Sequence, residues 1–287
     1  MQLTNDYKTT QQQLAQIKNP TNTILAMQNT MAEYFTVLER LKQASNDTIK
    51  KCIYDSCWLC DNNRVNFISD YFKSSKLCKQ LFEQSISSVN YFRDNIVEMI
   101  SNDFIQWLKS PKCNYIFKNS FEENHVKNQV IGLLGELFNL YYLTNISAYR
   151  TENGMLKQFK KVVPFKTFMQ QQDFGIDLIC IDENDDICII QVKFYSTWSS
   201  KQHKIELKEH CSNIFNEAVR HFYCRQEDCK EHVFFMFLGN KEHDVALTLK
   251  NSPYFQYLSF FDEKNYFNDT EGNTTLYKDF WNFLVEL

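Results

Sequence analysis

Asp177, Gln191 and Lys193 are the residues whose types and spacing could do chemistry. They share one segment, FGIDLICIDENDDICIIQVKFYS, running from Phe174 to Ser196. Asp177 sits in one apolar run, and Gln191 and Lys193 sit in the next. Residues two apart on a strand face the same way, so Gln191 and Lys193 place a polar pair on one face of a very apolar strand. A hard divalent cation such as Mg²⁺ prefers carboxylate, carbonyl and water oxygens. Asp177 offers a carboxylate, Gln191 an amide oxygen and Val192 its backbone carbonyl. A cation held there would relieve charge on a phosphoryl group and activate water, which is what phosphodiester hydrolysis requires. Lys193 could orient that water or stabilise the charge that develops at phosphorus. Glu136 ends the GLLGE segment of an upstream helix and could add a second carboxylate. A plainer reading stays open: Asp177 at a strand edge, Gln191 and Lys193 on the solvent side of a half-buried hairpin, and Glu136 on a helix surface.

The elements that must position these groups follow from periodicity. FGIDLICID and DICIIQVKFY predict a hairpin with its turn at Glu183–Asp186. VKNQVIGLLGELFNLYYL predicts a helix, with Gly132 and Gly135 on one side to permit close packing on a sheet. ISAYRT and KKVVPF are β-prone, HVFFMFLGN and YFQYLSFF read as strands, and HKIELKEHCSNIFNEAVRHFY and TTLYKDFWNFLVEL read as helices. Residues 1–120 read as helical, through MAEYFTVLERLKQ and YFRDNIVEMISNDFIQWL, with breaks at Asn19-Pro20 and Asp61–Asn63. The expected architecture is α/β, a central mixed sheet flanked by helices and preceded by an all-helical region. The expected domains are 1–120, for a partner or the substrate, and 121–287, which holds the candidate site.

The pattern GIDL followed by QVK, with a helix bearing GE upstream, resembles the PD-(D/E)xK, or restriction-endonuclease-like, nuclease superfamily. The nearest branch is the Mrr-like one, in which glutamine replaces the second acidic residue. Over roughly 124–240 the resemblance implies a metal-binding Asp177, a second ligand position at Gln191, a catalytic Lys193 and a contributing Glu136. It implies a Mg²⁺- or Mn²⁺-dependent deoxyribonuclease that leaves a 5′-phosphate. The family's proline is absent, and Ile176 stands before Asp177. Exonuclease, junction-resolvase and RNA-cutting versions of the same site remain open. So does a non-cleaving nucleic-acid-binding or scaffold subunit on the same fold.

DNA is the expected partner, gripped by Lys157, Lys160, Lys161 and Lys166 before Asp177 and by Lys201 and Lys204 after it. Tyr195 or Trp198 could stack on a base. These lysines could equally be ordinary surface groups. The charges split weakly, with 14 basic and 11 acidic residues in 1–120 against 17 and 24 in the remainder, within a net charge of −4. That balance excludes a protein that coats nucleic acid nonspecifically, yet it allows a local basic groove. The mildly basic helical part could hold a polyanion, a protein partner or a second copy of the chain. His221, Cys224, Cys229 and His232 form H-x₂-C-x₄-C-x₂-H, a candidate zinc staple. Cys52, Cys57 and Cys60, with a distant Cys78, form a second candidate set. The alternative for both is reduced thiols in the core or at the surface, as expected for Cys180 and Cys188. No signal-peptide pattern and no run of eighteen apolar residues occurs, so the expected protein is soluble and intracellular, in cytoplasm or nucleus, with no membrane partner.

Overall fold

A computed structural model describes residues 20–57, 67–84, 86, 91–145, 149–150, 156–170, 175–194, 232–238, 259–261 and 275–287. Helix α1 (Pro20–Gln43) begins at a proline, whose fixed φ and missing N–H suit the first helical position. Helix α2 (Asn46–Ser56) is capped by Ser45, whose Oγ accepts from the Thr48 N–H. Ser75 caps α3 (Lys76–Glu83) in the same way. A π-helical turn, Phe92–Ile96, leads into α4 (Val97–Lys109). Asn119 caps α5 (Ser120–Asn145) through the Glu122 N–H.

The strands are β1 (Tyr149–Arg150) and β2 (Leu156–Lys157), a small antiparallel pair, then β3 (Phe159–Pro164), β4 (Leu178–Asp182), β5 (Ile187–Phe194), β6 (Val233–Leu238) and β7 (Ser259–Phe261). A short helix α6 (Phe165–Met169) follows β3, and α7 (Thr275–Glu286) closes the chain. The main sheet has the order β3-β4-β5-β6-β7, antiparallel across β3–β4–β5 and parallel across β5–β6–β7. The fold is therefore α/β, with a mixed sheet, flanking helices and an N-terminal helical region, as the periodicity predicts. The helix expected over HKIELKEHCSNIFNEAVRHFY lies outside the described residues.

Alternation assigns the two faces of the sheet. Cys180, Cys188, Ile190 and Val192 join one hydrophobic core with Val130, Leu134, Leu137 and Phe138 of α5. That core continues without a break through Tyr71, Phe82, Phe92 and Phe104 of the helical region and Tyr277, Phe280 and Leu284 of α7. Ile179, Ile181, Ile187 and Ile189 point the other way and are equally buried. On that side α1 lies along β4, whereas α2, which lies against β3 and α6, sends Ile53 and, at its C-terminal end, Cys57 into the core shared with α5. Gly132 departs from its expected role, because a Cβ there would meet nothing within 4 Å. It sits one turn before Glu136 on a half-exposed stripe of α5, so the close packing falls to the larger residues on either side.

Helix α1 is pinned to the hairpin turn. The Tyr34 hydroxyl donates to Asp186 Oδ1 and accepts from the Ile187 N–H, both at 3.3 Å. Burial, more than the neighbouring Asp186 charge, raises the Tyr34 pKa from 10.0 to about 12. The folded protein thus keeps a proton that the unfolded chain releases near pH 10, so this stabilisation is full below pH 10 and is lost as pH rises towards about 12. Thermal melts between pH 9 and 12 should show a shallower alkaline decline for Tyr34→Phe than for the wild type. Identical slopes would contradict the pin.

Candidate active site

Register with β4 ends at Leu178 opposite Ile190, and the Asp177 N–H also donates to the Ile190 carbonyl at 3.1 Å. Beyond that point β5 has no β4 backbone to pair with. The Asp177 carboxylate takes its place, with Oδ2 accepting the Val192 N–H at 2.7 Å and a short hydrogen bond from Gln191 Nε2. The Asp177 carbonyl in turn accepts the Phe165 N–H at 2.9 Å, tying the site to the start of α6. Sequence and register therefore bring Asp177, Gln191 and the Val192 peptide together. Lys193 follows in β5, beside Phe237 of β6, placed by its backbone.

Gln191 is 2% exposed, and its Oε1 accepts no hydrogen bond among the described residues. A buried amide oxygen left unpaired costs about 1–3 kcal/mol. The Nε2 edge of Gln191 faces the Asp177 carboxylate and the Val192 carbonyl, so these two oxygens and, with the amide turned over, Oε1 make a set of hard oxygen donors of the kind that Mg²⁺ or Mn²⁺ takes. Gly175 makes the arrangement possible. Its φ is +80°, a backbone state that side chains disfavour, and a Cβ there would stand 3.2 Å from Gln191 Oε1. Ile176, where the resembling family has its proline, is a buried core residue.

Glu136 is half-buried on α5, the helix that covers the face holding Ile190 and Val192. Its charge acts on Cys57, a thiol pushed up to about 12 chiefly by burial, with Glu136 adding to the rise. Lys161 is spent on structure: its ammonium donates to the carbonyls of Leu41, Lys42 and Ala44, at 3.0, 2.6 and 2.8 Å, at the C-terminal end of α1. Lys160 pairs with Asp185 at 2.7 Å. Lys166 is exposed on α6. Lys157 is placed only by its backbone in β2. Tyr195, Trp198, Lys201, Lys204, His221, Cys224 and Cys229 lie outside the described residues. Cys52, Cys57 and Cys78 are buried free thiols, and Cys60 lies outside the described residues.

A second cluster was not legible in the sequence. Asp182, Asp186 and His232 bring their ligand atoms within 4.8 Å of one another, an arrangement that could coordinate a divalent metal. Asp182 reads as a turn and surface group, and it does make the turn, accepting the Asn184 and Asp186 N–H groups. It is nevertheless fully buried, because those bonds draw the carboxylate inward. His232 Nε2 lies 3.6 Å from Asp186 Oδ2. The missing signal was the parallel β5–β6 pairing, which brings His232 to the hairpin turn. Asp182 is five residues from Asp177, roughly 17 Å along a strand, so the two sites occupy opposite ends of the hairpin.

No helix among the described residues is long and apolar enough to cross a membrane. No curated protein and no solved structure matches the chain. A family model described as a restriction endonuclease, of the Mrr catalytic type, matches residues 150–225, about a quarter of the chain. The matched stretch takes in Asp177, Gln191 and Lys193 and leaves out Glu136 and His232. Over these residues the chain is similar to an Mrr-like restriction-endonuclease domain, part of which it carries, in keeping with the PD-(D/E)xK superfamily.

Proposed function

We propose that the protein is a metal-dependent DNA endonuclease that hydrolyses phosphodiester bonds at Asp177, Gln191 and Lys193. The observation that carries this is the buried Gln191 amide, which donates through Nε2 to the Asp177 carboxylate while its Oε1 has no hydrogen-bond partner among the described residues, within the stretch similar to restriction endonucleases. A chain that used these residues only as surface groups would have no reason to bury that oxygen. Asp177, Gln191 Oε1 and the Val192 carbonyl would hold Mg²⁺ or Mn²⁺, which supplies charge relief at phosphorus and an acidified water. Lys193 orients the attacking water and offsets charge as the phosphate becomes pentavalent. Glu136 sits on α5, over the face of β5 that carries Ile190 and Val192, so its contribution is made from behind the strand and not as a direct ligand. Lys166, Lys157, Lys201 and Lys204 are the proposed backbone grips, with Tyr195 or Trp198 stacking. Lys160 and Lys161, already engaged, contribute by holding the hairpin and α1 in place. Residues 1–120 form the side for a protein partner or a second copy, and Met31 and Phe35, one turn apart on α1, are exposed there.

Calorimetric titration with Mn²⁺ separates this centre from the cluster at the other end of the hairpin. We expect a binding event that Asp177→Asn removes and Asp186→Asn leaves in place. The reverse pattern would move the metal to Asp182, Asp186 and His232. Tight DNA binding with no metal uptake would favour a non-cleaving scaffold subunit.

A further inference from the structure

An amide has a donor edge and an acceptor edge, and Gln191 has a use for each. Nε2 faces Asp177 Oδ2 and also reaches the Val192 carbonyl at 3.4 Å, while Oε1, near Gly175, has no hydrogen-bond partner among the described residues. Without a cation this orientation is required, since an amide oxygen turned to the carboxylate would set two acceptors against each other. With a cation at Asp177 the requirement reverses, because only the oxygen edge can bind it.

Resting on the metal-dependent assignment of Asp177, we propose that Gln191 is a two-position, metal-responsive amide. It donates to Asp177 in the free protein and turns by half a rotation to present Oε1 when a divalent cation binds. Half a rotation exchanges Nε2 and Oε1 in nearly the same volume, so the buried side chain needs little extra room. Gly175 is the positioning residue that keeps this space open. Two consequences follow. The metal-free site satisfies its own carboxylate, so the fold does not depend on metal. A cation must displace the Gln191–Asp177 hydrogen bond and gains only one negative charge, so the free protein binds metal weakly. Gln191→Glu would reverse both, since two carboxylates would face each other without a donor until a cation arrived.

The test uses the full chain with Mg²⁺ as the probe. Glutamine side chains are ¹⁵N-labelled, and the Gln191 amide signal is assigned by its loss in Gln191→Glu. We expect that signal to be shifted and protected in EDTA, and to move and lose protection as Mg²⁺ saturates. We expect Gln191→Glu to melt below the wild type in EDTA, to gain more from Mg²⁺, and to bind Mg²⁺ about tenfold more tightly, as ligand charge sets affinity. Mg²⁺ uptake that Asp177→Asn abolishes, with an unchanged Gln191 signal, would overturn the two-position amide and leave the metal assignment standing. Equal Mg²⁺ affinities of wild type and Gln191→Glu would also overturn it. No Mg²⁺ uptake by either protein would overturn both.

Discussion

Asp177→Asn is expected to lower DNA cleavage on the order of a thousandfold or more, a loss of the size seen when a preorganised charge-stabilising group is removed. Asparagine is the informative replacement. Asp177 Oδ2 accepts the Val192 N–H at 2.7 Å, so alanine would also leave a ladder donor unpaired at a cost of about 1–3 kcal/mol. Asparagine keeps an acceptor there and removes only the charge that a cation needs. Lys193→Ala should cause a loss of similar size, with metal uptake retained. Glu136→Ala should cost less, because Glu136 rides on the helix behind the opposite face of β5 and its charge acts on Cys57. Single-turnover cleavage of a labelled duplex, run beside melting curves of each variant, measures these effects. An Asp177→Asn protein that folds normally and cuts at the wild-type rate would place the activity elsewhere.

The second large effect concerns stability. Phe138 on α5 is fully buried, with its ring 5.1 Å from Phe92, 5.2 Å from Phe280 and 5.9 Å from Tyr277. It therefore joins the helical region, the helix over the sheet and the closing helix. Phe138→Ala should cost about 3–5 kcal/mol, through lost burial and the cavity left behind. Total stability for a domain is about 5–15 kcal/mol, so much of it would go. Because one core crosses residue 120, the proposed division there is one of roles, and both parts should unfold together. Denaturant titration followed by far-ultraviolet circular dichroism and by fluorescence of Trp107 and Trp281 should give coincident transitions that shift together in the variant. Two separated transitions, with only one moved by Phe138→Ala, would contradict a shared core.

The hairpin was legible because its alternation and its turn residues agree. Leu178–Asp182 and Ile187–Phe194 are apolar on both faces, with isoleucines on each and both cysteines on one, and Glu183–Asp186 can only be a turn. That pairing places Asp177 next to Gln191, so the centre of the candidate site follows from local sequence and register. What the sequence could not show depends on contacts distant in the chain. Lys161 reads as a basic grip, and only the end of α1, more than a hundred residues away, shows its three donors to be engaged. His232 reads as a member of a cysteine–histidine set, and only the parallel β5–β6 pairing brings it to Asp186. Gly175 is a single glycine in the sequence, and its contact with Gln191 Oε1 needs the backbone to be folded first.

The central claim, metal-dependent hydrolysis of DNA at this centre, is tested most directly by one assay on the wild-type protein. Labelled linear duplex, branched and single-stranded DNA, with an RNA counterpart, are incubated with Mg²⁺ or Mn²⁺ and in parallel with EDTA. The expected result is internal cutting of DNA that leaves 5′-phosphates in the presence of the cation and stops in EDTA. Undiminished cutting in EDTA, or no cutting of any substrate in Mg²⁺ or Mn²⁺, would contradict it.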